Sequence, residues 1–233
     1  MKYSFIIPAF NEEKYIGKCI LSIRNSVTCN LEDYEIIVVN NQSTDRTSGI
    51  AMTHCCKVIY SIRDNIAKVR NDGAKVAKGE TLIFVDADST VSRGLLEYIN
   101  PEAIGGGSLV QLDHKTRIGD WIVNRWNNYC KDKFIFTGSF IFIKKEYFFG
   151  FPEDYYIAED IIFSNLLNDA ATRHNQFTQL IQKYGVITSD RKLRLYSLFE
   201  HLRFWYSFWR NKEKVLFNRS SCFLWYSGRR ETV

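Results

Sequence analysis

Proline and glycine are scarce in this chain of 233 residues, which contains 3 Pro and 13 Gly. Collagen-like and Pro/Gly-rich low-complexity proteins need far more of both, so those classes are excluded. Hydrophobic residues make up 45% of the chain and charged residues 24%, a balance that also excludes intrinsic disorder. The length predicts one globular domain with room for an appendage.

Cysteine spacings typical of metal sites or disulfide frameworks are also absent. No C-x-x-C pair occurs, and the six cysteines are either adjacent or scattered. The spacing therefore supports neither a zinc site nor a compact disulfide framework, and reduced thiols are expected. The cysteines are Cys19, Cys29, Cys55, Cys56, Cys130 and Cys222.

The sequence has no long apolar run. The segment Tyr3 to Phe10 is short, contains Pro8 and lacks a small-residue cleavage site, so it is interpreted as a buried strand and not a signal peptide. The segment Phe134 to Ile143 lies between Lys133 and Lys144 and is too short to cross a bilayer. We expect a cytoplasmic protein, with peripheral attachment to the inner face of the membrane as the alternative.

Positive charge is concentrated near the end of the sequence. Residues Arg191 to Val233 contain ten Lys and Arg against three Glu, a net charge of +7. Residues 1–190 contain 21 basic and 23 acidic side chains, a net charge of −2. A basic region of this kind indicates an anionic membrane surface or a polyanion as partner, and a solvated basic helix is the alternative.

Short apolar strands alternate with helical patterns over the first hundred residues. This β-α-β order predicts an α/β fold with a largely parallel sheet, whose ligands gather at the carboxyl ends of the strands. Strands are predicted over Tyr3 to Pro8, Glu35 to Asn40, Lys57 to Tyr60 and Thr81 to Val85. Helices are predicted over Lys14 to Ser26, Thr47 to His54 and Ala67 to Lys78.

The alternation is less regular after Asp88. Gly105 to Gly107 is interpreted as a sharp turn before a strand over Ser108 to Asp113. The remaining predicted elements are a helix over Ile118 to Lys131, a strand over Phe134 to Ile143 and a helix over Glu159 to Leu167.

Asp86 and Asp88 directly follow the predicted strand LIFV, at its carboxyl end. Mg²⁺ and Mn²⁺ bind phosphates through one or two such carboxylates, because their other ligands are phosphate and water. A D-x-D pair by itself is equally consistent with a polar turn. Two further polar clusters, Pro8 to Glu13 and Asn40 to Asp45, follow the first two strands, and a third, Arg70 to Gly73, precedes the D-x-D strand.

These clusters together resemble the glycosyltransferases of family 2, which have the GT-A fold. The resemblance covers residues 3–167 and implies a nucleotide-binding α/β sandwich with a mixed, mostly parallel sheet. It also implies metal-dependent transfer of a sugar from a nucleotide-diphosphate sugar, with inversion at the anomeric carbon. The matching stretches are SFIIPAFNEEKYIGKCILSI, EIIVVNNQSTDRT, AKVRNDGAKVAKGETLIFVDAD and TGSFIFIKKEYFFGFPEDYYIAEDIIF.

The resemblance implies a donor site at the carboxyl edge of the sheet. In it, Asp88 would be the direct ligand of a divalent cation, Mn²⁺ or Mg²⁺, and Asp86 would hold the ribose or the metal. The implied nucleotide-sugar-binding residues are Pro8, Ala9, Asn11, Glu12, Asn40, Ser43 and Arg70. The family usually has Asp where this chain has Asn40, and Asn both donates and accepts hydrogen bonds, so the choice of nucleotide is left open.

Glu159 and Asp160 precede an apolar helical run, where two acids could simply complement the helix dipole. The resemblance instead implies that Asp160 is the general base of an inverting transfer and that Glu159 orients it. Thr137 and Gly138 resemble the acceptor-side loop, in which a missing side chain leaves room for the sugar. Trp126 is a candidate for stacking on the acceptor.

The sequence therefore predicts a glycosyltransferase domain over residues 1–190 and a basic, aromatic helical extension over residues 191–233. A UDP-sugar is the favoured donor, the expected acceptor is a glycan or lipid-linked cell-surface precursor, and no nucleic acid partner is expected. Two alternatives remain: a catalytically silent nucleotide-sugar sensor or scaffold, and a nucleotidyltransferase.

The extension is predicted to be an amphipathic helix over residues 191–210. One interpretation is that its apolar stripe and basic residues bind an anionic membrane surface. The alternative is that the stripe packs against the catalytic domain. The stripe consists of Leu195, Leu198, Phe199, Leu202, Trp205 and Trp209.

Overall fold

The computed structural model describes residues 1–27, 33–62 and 65–226. Cys29, and residues 227–233 of the predicted extension, lie outside these ranges. The first half of the chain forms the predicted alternation of strands and helices. Its elements are β1 (Tyr3–Ala9), α1 (Ile16–Ser26), β2 (Tyr34–Asn40), α2 (Thr47–Thr53), β3 (Lys57–Tyr60), α3 (Ile66–Val76) and β4 (Thr81–Phe84).

The second half adds four strands to the sheet and places most of its helices after the last strand. Short 3₁₀ turns cover Leu95–Tyr98, Lys145–Tyr147 and Arg219–Ser221. The other elements are β5 (Ser89–Val91), β6 (Gly105–Leu112), α4 (Arg117–Lys133), β7 (Ile141–Lys144), α5 (Glu159–Arg173), β8 (Thr178–Thr188), α6 (Arg191–Leu195), α7 (Leu198–Arg210), α8 (Lys212–Phe217) and α9 (Phe223–Tyr226).

The eight strands lie in one sheet in the order β3-β2-β1-β4-β7-β6-β8-β5. Strands β3, β2, β1 and β4 are parallel to one another, and β6 is parallel to β8. Strand β7 is antiparallel to both β4 and β6, and β5 is antiparallel to β8. The prediction of an α/β fold with a mixed, mostly parallel sheet is confirmed.

The register of the central strands brings three loops to one edge of the sheet. Ala9 at the end of β1 is aligned with Asn40 at the end of β2, and Ile6 is aligned with Phe84 of β4. The residues that follow these strands therefore meet at the carboxyl edge, as expected for parallel strands joined by crossover helices.

Apolar side chains cover both faces of the sheet. On one face, Ile16 and Ile20 of α1 pack against β1 and β2. On the other face, Val69 of α3 and Phe163 of α5 are buried against the sheet. Helix α3 lies so close to β1 that a Cβ on Gly73 would overlap Ile6. This close packing fixes α3, and with it the polar residues on its buried side, beneath the carboxyl edge.

Two local predictions in the second half are wrong. Gly105 to Gly107 do not form a turn but begin β6, where a Cβ on Gly106 would clash with the carbonyl oxygen of Gln179 in β8. The glycines thus allow two backbones to approach closely. The predicted strand over Phe134 to Ile143 begins only at Ile141. The preceding Phe136 and Phe140 are buried in the core although they lie in a loop, and this loop supplies part of the site described below.

The extension consists of several helices, and the prediction of one continuous helix over residues 191–210 is wrong. Tyr196 is extended and ends α6, and Ser197 then caps α7 through a reciprocal pair of hydrogen bonds with Glu200. The extension has its own apolar cluster, in which Phe204 is fully buried against residues of α9 and of the loop before α5. Of the predicted stripe, Leu195 lies on α6 and the other five residues lie on α7.

Across the described ranges, we find no helix with both the length and the apolar character needed to span a bilayer.

Candidate active site

A cavity of about 290 Å³ opens at the carboxyl edge of β1, β2 and β4. Five of the predicted site residues line it: Pro8, Ala9, Glu12, Asp86 and Asp88. The volume is near the lower end of the range for small-molecule pockets. Much of the remaining wall comes from the extension, through Arg191, Lys192, Leu195, Tyr196, Arg219, Leu224, Trp225 and Tyr226.

A larger groove of about 860 Å³ lies at the opposite end of the central strands. Its lining includes Lys2 and Tyr3 at the start of β1 and Gly79 to Thr81 at the start of β4. Ligands of open α/β sheets bind at the carboxyl ends of the strands. The smaller cavity, which contains the D-x-D carboxylates, is therefore the candidate site.

Arg70 of α3 joins two acidic segments of the site. Its guanidinium is buried and donates from Nη1 to Oε1 of Glu159 at 2.6 Å and from Nη2 to Oδ1 of Asp86 at 2.8 Å. The ring of Phe151 lies 5.2 Å from its Cζ. One buried cation thus ties the D-x-D segment after β4 to the acidic pair at the start of α5. Charged hydrogen bonds of this kind hold both carboxylates in fixed positions.

The turn into α5 places Glu159 and Asp160 in the first turn of that helix. Ala158 precedes them in the left-handed region, with φ of 64°. The Asp160 carboxylate accepts hydrogen bonds from the amides of Gly138 at 2.8 Å and Ile161 at 2.9 Å. Backbone amides and the helix N-terminus stabilise negative charge here, so the pair also complements the helix dipole.

The loop before β7 brings Thr137 and Gly138 against the acidic pair. A Cβ on Gly138 would overlap Nη2 of Arg70, so the space beside this glycine is filled by the arginine. The hydroxyl of Thr137 is buried and has no hydrogen-bond partner within the described ranges. Trp126 lies on α4, half-buried against the core, with its ring 5.7 Å from that of Tyr129. Trp126 does not line the cavity.

Burial changes the acid–base properties of the acidic pair. Burial and the neighbouring Asp160 raise the pKa of Glu159 to about 7, although Arg70 opposes the change. Burial also raises the pKa of Asp160, against the opposing effects of Arg70 and the Gly138 amide. A carboxylate with a raised pKa is a stronger base, and catalytic bases work best when their pKa approaches the operating pH.

Arg191 of α6 reaches across the cavity to acids from two different loops. It donates to both carboxylate oxygens of Glu12, at 2.5 and 2.6 Å, and its Nη2 lies 3.0 Å from Oδ2 of Asp88. Burial raises the pKa of Asp88, and Arg191 opposes that change. Burial lowers the pKa of the adjacent Lys192. The extension therefore adds the basic side chains of Arg191, Lys192 and Arg219 to a cavity wall that also contains the carboxylates of Glu12, Asp86 and Asp88.

The D-x-D pair fits a divalent cation by its chemistry and position. In the contacts described, Arg70 binds Oδ1 of Asp86 and Arg191 lies against Oδ2 of Asp88. The second oxygen of each carboxylate can therefore act as a metal ligand. Two hard oxygen ligands at a rigid strand end suit Mg²⁺ or Mn²⁺, which complete their coordination with phosphate and water.

A second acidic cluster lies at the ends of β6 and β8. Ligand atoms of Asp113, His114 and Asp190 lie within 4.8 Å of one another. Oδ1 of Asp190 also accepts from Nε of Arg194 at 2.6 Å, so a cation already faces this carboxylate. These contacts join the ends of the two strands and fix the start of α6, from which Arg191 extends.

Asn11, Asn40 and Ser43 lie in the neighbouring loops and do not line the cavity. The side chain of Asn40 accepts from the amide of Ser43 at 3.0 Å, and the hydroxyl of Ser43 accepts from the amide of Asn11 at 3.0 Å. Their hydrogen bonds hold together the loops after β1 and β2. Asn41 and Gln42 contribute to the cavity wall instead.

The contribution of the extension to the site was not predicted from the sequence. Arg191 and Lys192 were interpreted as part of a basic helix directed toward a membrane. The available signal was their position directly after a strand, but β8 itself was not predicted. Arg191 pairs with Glu12, 179 residues earlier in the chain, and no local pattern indicates such a contact.

Comparison with known proteins identifies the family. A family profile described as "Glycosyl transferase family 2" matches residues 4–165. The chain is 38% identical over 108 residues to a poly(ribitol-phosphate) beta-glucosyltransferase of Bacillus spizizenii, and this match covers 43% of the chain and 17% of the relative. The matched part is thus a small fraction of that longer protein.

Solved structures with the same fold include two glycosyltransferases with bound donors. Staphylococcus aureus TarS 1-349 in complex with UDP-GlcNAc has a TM-score of 0.63 and 20% identity, covering 82% of this chain and 59% of that one. The mannosyltransferase PcManGT of Pyrobaculum calidifontis, with GDP-Man and Mn²⁺, has a TM-score of 0.61 and 18% identity, covering 87% of this chain and 59% of that one. The fold is GT-A, and the chain belongs to glycosyl transferase family 2.

Proposed function

We propose that this chain transfers a sugar from a nucleotide-diphosphate sugar to a hydroxyl group, with inversion at the anomeric carbon. The observation that carries the proposal is the bridge formed by Arg70, which holds the Asp86 carboxylate on one side and Glu159, next to Asp160, on the other. Arg70 thus keeps Asp86, a proposed donor-binding acid, near Asp160, the proposed base, and an inverting transfer needs the donor and the base to lie close together.

The proposed base is Asp160. Gly138 and Ile161 fix its carboxylate through their amides, and burial raises its pKa. In the reaction, the acceptor hydroxyl attacks the anomeric carbon as Asp160 takes its proton, and the nucleoside diphosphate leaves from the opposite face. Glu159 and Arg70 position the base, because neither can move without breaking a buried ion pair.

The leaving diphosphate would be stabilised by positive charge. Asp86 and Asp88 would hold Mn²⁺ or Mg²⁺, which supplies charge stabilisation to the diphosphate when bound. Arg191, which pairs with Glu12 and Asp88, and the adjacent Lys192 supply two further cations to the lining of the cavity. Preorganised cations of this kind act where negative charge develops in the transition state.

A UDP-sugar is the favoured donor, and a glycan or lipid-linked precursor of the cell envelope is the favoured acceptor. The UDP-GlcNAc complex of TarS supports a nucleotide-sugar donor that contains uridine. The GDP-Man complex of PcManGT makes a guanosine nucleotide the alternative. The name of the Bacillus relative, which refers to poly(ribitol-phosphate), supports an envelope polymer as acceptor.

The test is a panel of UDP- and GDP-sugars, measured for binding and for donor hydrolysis with and without Mn²⁺. We expect Asp88→Asn to lose metal-dependent donor binding. We expect Asp160→Asn to keep donor affinity while turnover falls by about 10²–10⁴-fold. The control is Asp169→Asn, which changes an exposed acid of the same helix and should leave both quantities unchanged.

Three outcomes would contradict the proposal. Full donor affinity in EDTA would exclude metal-dependent binding. Equal losses of binding and turnover in Asp160→Asn would make this residue a ligand or a helix cap. Tight donor binding without any turnover in the wild-type chain would favour the nucleotide-sugar sensor.

A further inference from the structure

Helix α7 has two apolar faces, and one of them packs against the neighbouring helices of the extension. Phe204 and Phe208 lie on the inner face, where Phe204 packs against Phe223 and Trp225. The outer face carries six large apolar side chains that are between 56% and 81% exposed. They are Leu198, Phe199, Leu202, Trp205, Tyr206 and Trp209.

The six residues form a continuous stripe. Their spacing of one, three and four positions places them within about 120° of the helix circumference. Soluble proteins rarely leave so many contiguous large apolar groups in contact with water, and such patches mark interaction sites. The stripe differs from the one predicted from sequence because Leu195 belongs to α6 and Tyr206 joins the exposed set.

The charges around the stripe are mostly positive. Arg203 and Arg210 are exposed along one border of it, and Lys212 and Lys214 follow on α8. The acids of this part of the chain are Glu200, which caps its own helix, and Glu213. Arg203 lies over the ring of Phe223 and Arg210 donates to the Tyr206 hydroxyl at 3.5 Å, whereas Arg191 pairs with the carboxylates of Glu12 and Asp88.

We propose that the outer face of α7 lies on an anionic lipid surface. A helix that sits in the headgroup region buries an apolar face rich in Trp, Phe and Leu, and its basic residues meet lipid phosphates. The stripe and the two border arginines fit both requirements. The inference rests on the proposed function in one respect, since a lipid-linked acceptor would then be held at the same surface.

A second copy of the chain fits this face less well. In a symmetric dimer whose α7 helices pack antiparallel, the basic border of one helix faces the same border of its copy, so the arginines of the two chains would approach each other. Like charges placed together in an interface disfavour the contact. An anionic membrane instead complements the same arginines, and dimer formation becomes an outcome that the experiment can detect.

The experiment is co-sedimentation of the full chain with vesicles of phosphatidylcholine alone or mixed with phosphatidylglycerol, without donor or metal. We expect binding to the mixed vesicles that weakens as salt is raised. Arg203→Gln combined with Arg210→Gln should weaken partitioning on the order of 30-fold. Leu202→Ser combined with Trp209→Ser should weaken it by about tenfold or more.

Matched controls come from α4, which carries similarly exposed side chains. Ile118→Ser with Trp121→Ser removes apolar groups that are 74% and 65% exposed, and Arg117→Gln with Arg125→Gln removes two exposed arginines. Both control pairs should bind vesicles as the wild type does. Circular dichroism of every variant verifies that the chain is folded.

Equal recovery of the folded chain in the supernatant with both vesicle types would overturn the proposal. So would control variants that lose as much binding as the α7 variants. A concentration-dependent dimer that Leu202→Ser with Trp209→Ser abolishes, without any vesicle binding, would assign the face to a second copy. Because no donor is present, vesicle binding can succeed while the glycosyltransferase assay fails, and the reverse.

Discussion

At the scale of single residues, Glu159 has the property that is most accessible to measurement. Its pKa rises from an ordinary value of 4.5 to about 7, because it is buried beside Asp160. The folded chain therefore binds a proton more tightly than the unfolded chain, and this contribution to stability is full below pH 4.5. It is lost as the pH rises toward 7.

We expect Glu159→Gln, which resembles the protonated form, to escape this loss. When the pH is raised from 4.5 to 8, the unfolding free energy of the wild type should fall by about 3 kcal/mol more than that of the variant. Urea unfolding at several pH values measures the difference. Glu213→Gln, a change of an exposed glutamate, is the control for the substitution itself. Parallel pH profiles for Glu159→Gln and the wild type would contradict the prediction.

At the scale of elements, the site depends on the close approach of α3, α5 and the loop before β7. Gly138 lies where these three meet, between Nη2 of Arg70 and the Asp160 carboxylate. We expect Gly138→Ala to displace the guanidinium, lowering the unfolding free energy by about 1–3 kcal/mol. Transfer should fall on the order of 10²-fold, because Asp160, the proposed base, accepts a hydrogen bond from the Gly138 amide and would move with it.

Gly49→Ala is the matched control for this substitution. Gly49 lies in α2 and has no atom within 4 Å of a Cβ built on it. Alanine there should leave activity unchanged and stabilise the chain by up to about 1 kcal/mol, since alanine favours the helix. Wild-type stability and activity in Gly138→Ala would show that the loop can move away from Arg70.

The elements also show what the sequence can and cannot predict. The first four strands and three helices were predicted within about two residues, because β-branched runs and helical stripes are local signals. The strand over Phe134 to Ile143 was wrong at its start, since apolar residues also fill a core from loops. Strand β8 was missed because Thr178–Thr188 contains Gln, Lys and Gly and has no apolar run.

The site likewise has features that the sequence predicts and features that it does not. Asp86 and Asp88 reach the cavity because the carboxyl end of a parallel strand is a position that sequence order determines. The ion pairs of Arg70 with Asp86 and Glu159 connect residues up to 89 positions apart, and only the packing of α3 against the sheet brings them together. The part of the cavity wall that comes from the extension depends on contacts between residues even farther apart in the sequence, such as Arg191 and Glu12.

At the scale of the whole molecule, the extension has its own apolar cluster and also completes the site. The two clusters that cover the sheet consist of buried residues between Tyr3 and Val186. The buried residues of the third cluster lie between Tyr196 and Leu224. We therefore expect a chain shortened to residues 1–190 to unfold cooperatively, as a domain with its own core does.

The shortened chain should nevertheless bind UDP poorly. It lacks Arg191 and Lys192, and removal of Arg191 leaves Glu12 and Asp88 without the cation that faces them. Because a hydrogen bond to a charged group contributes about 1.5–3 kcal/mol, we expect UDP affinity in Mn²⁺ to fall by at least about tenfold. Isothermal titration measures it, and Arg191→Gln in the full chain should give an intermediate loss. Wild-type affinity in the shortened chain would show that the extension contributes nothing to donor binding, and loss of cooperative unfolding would show that the two parts share one core.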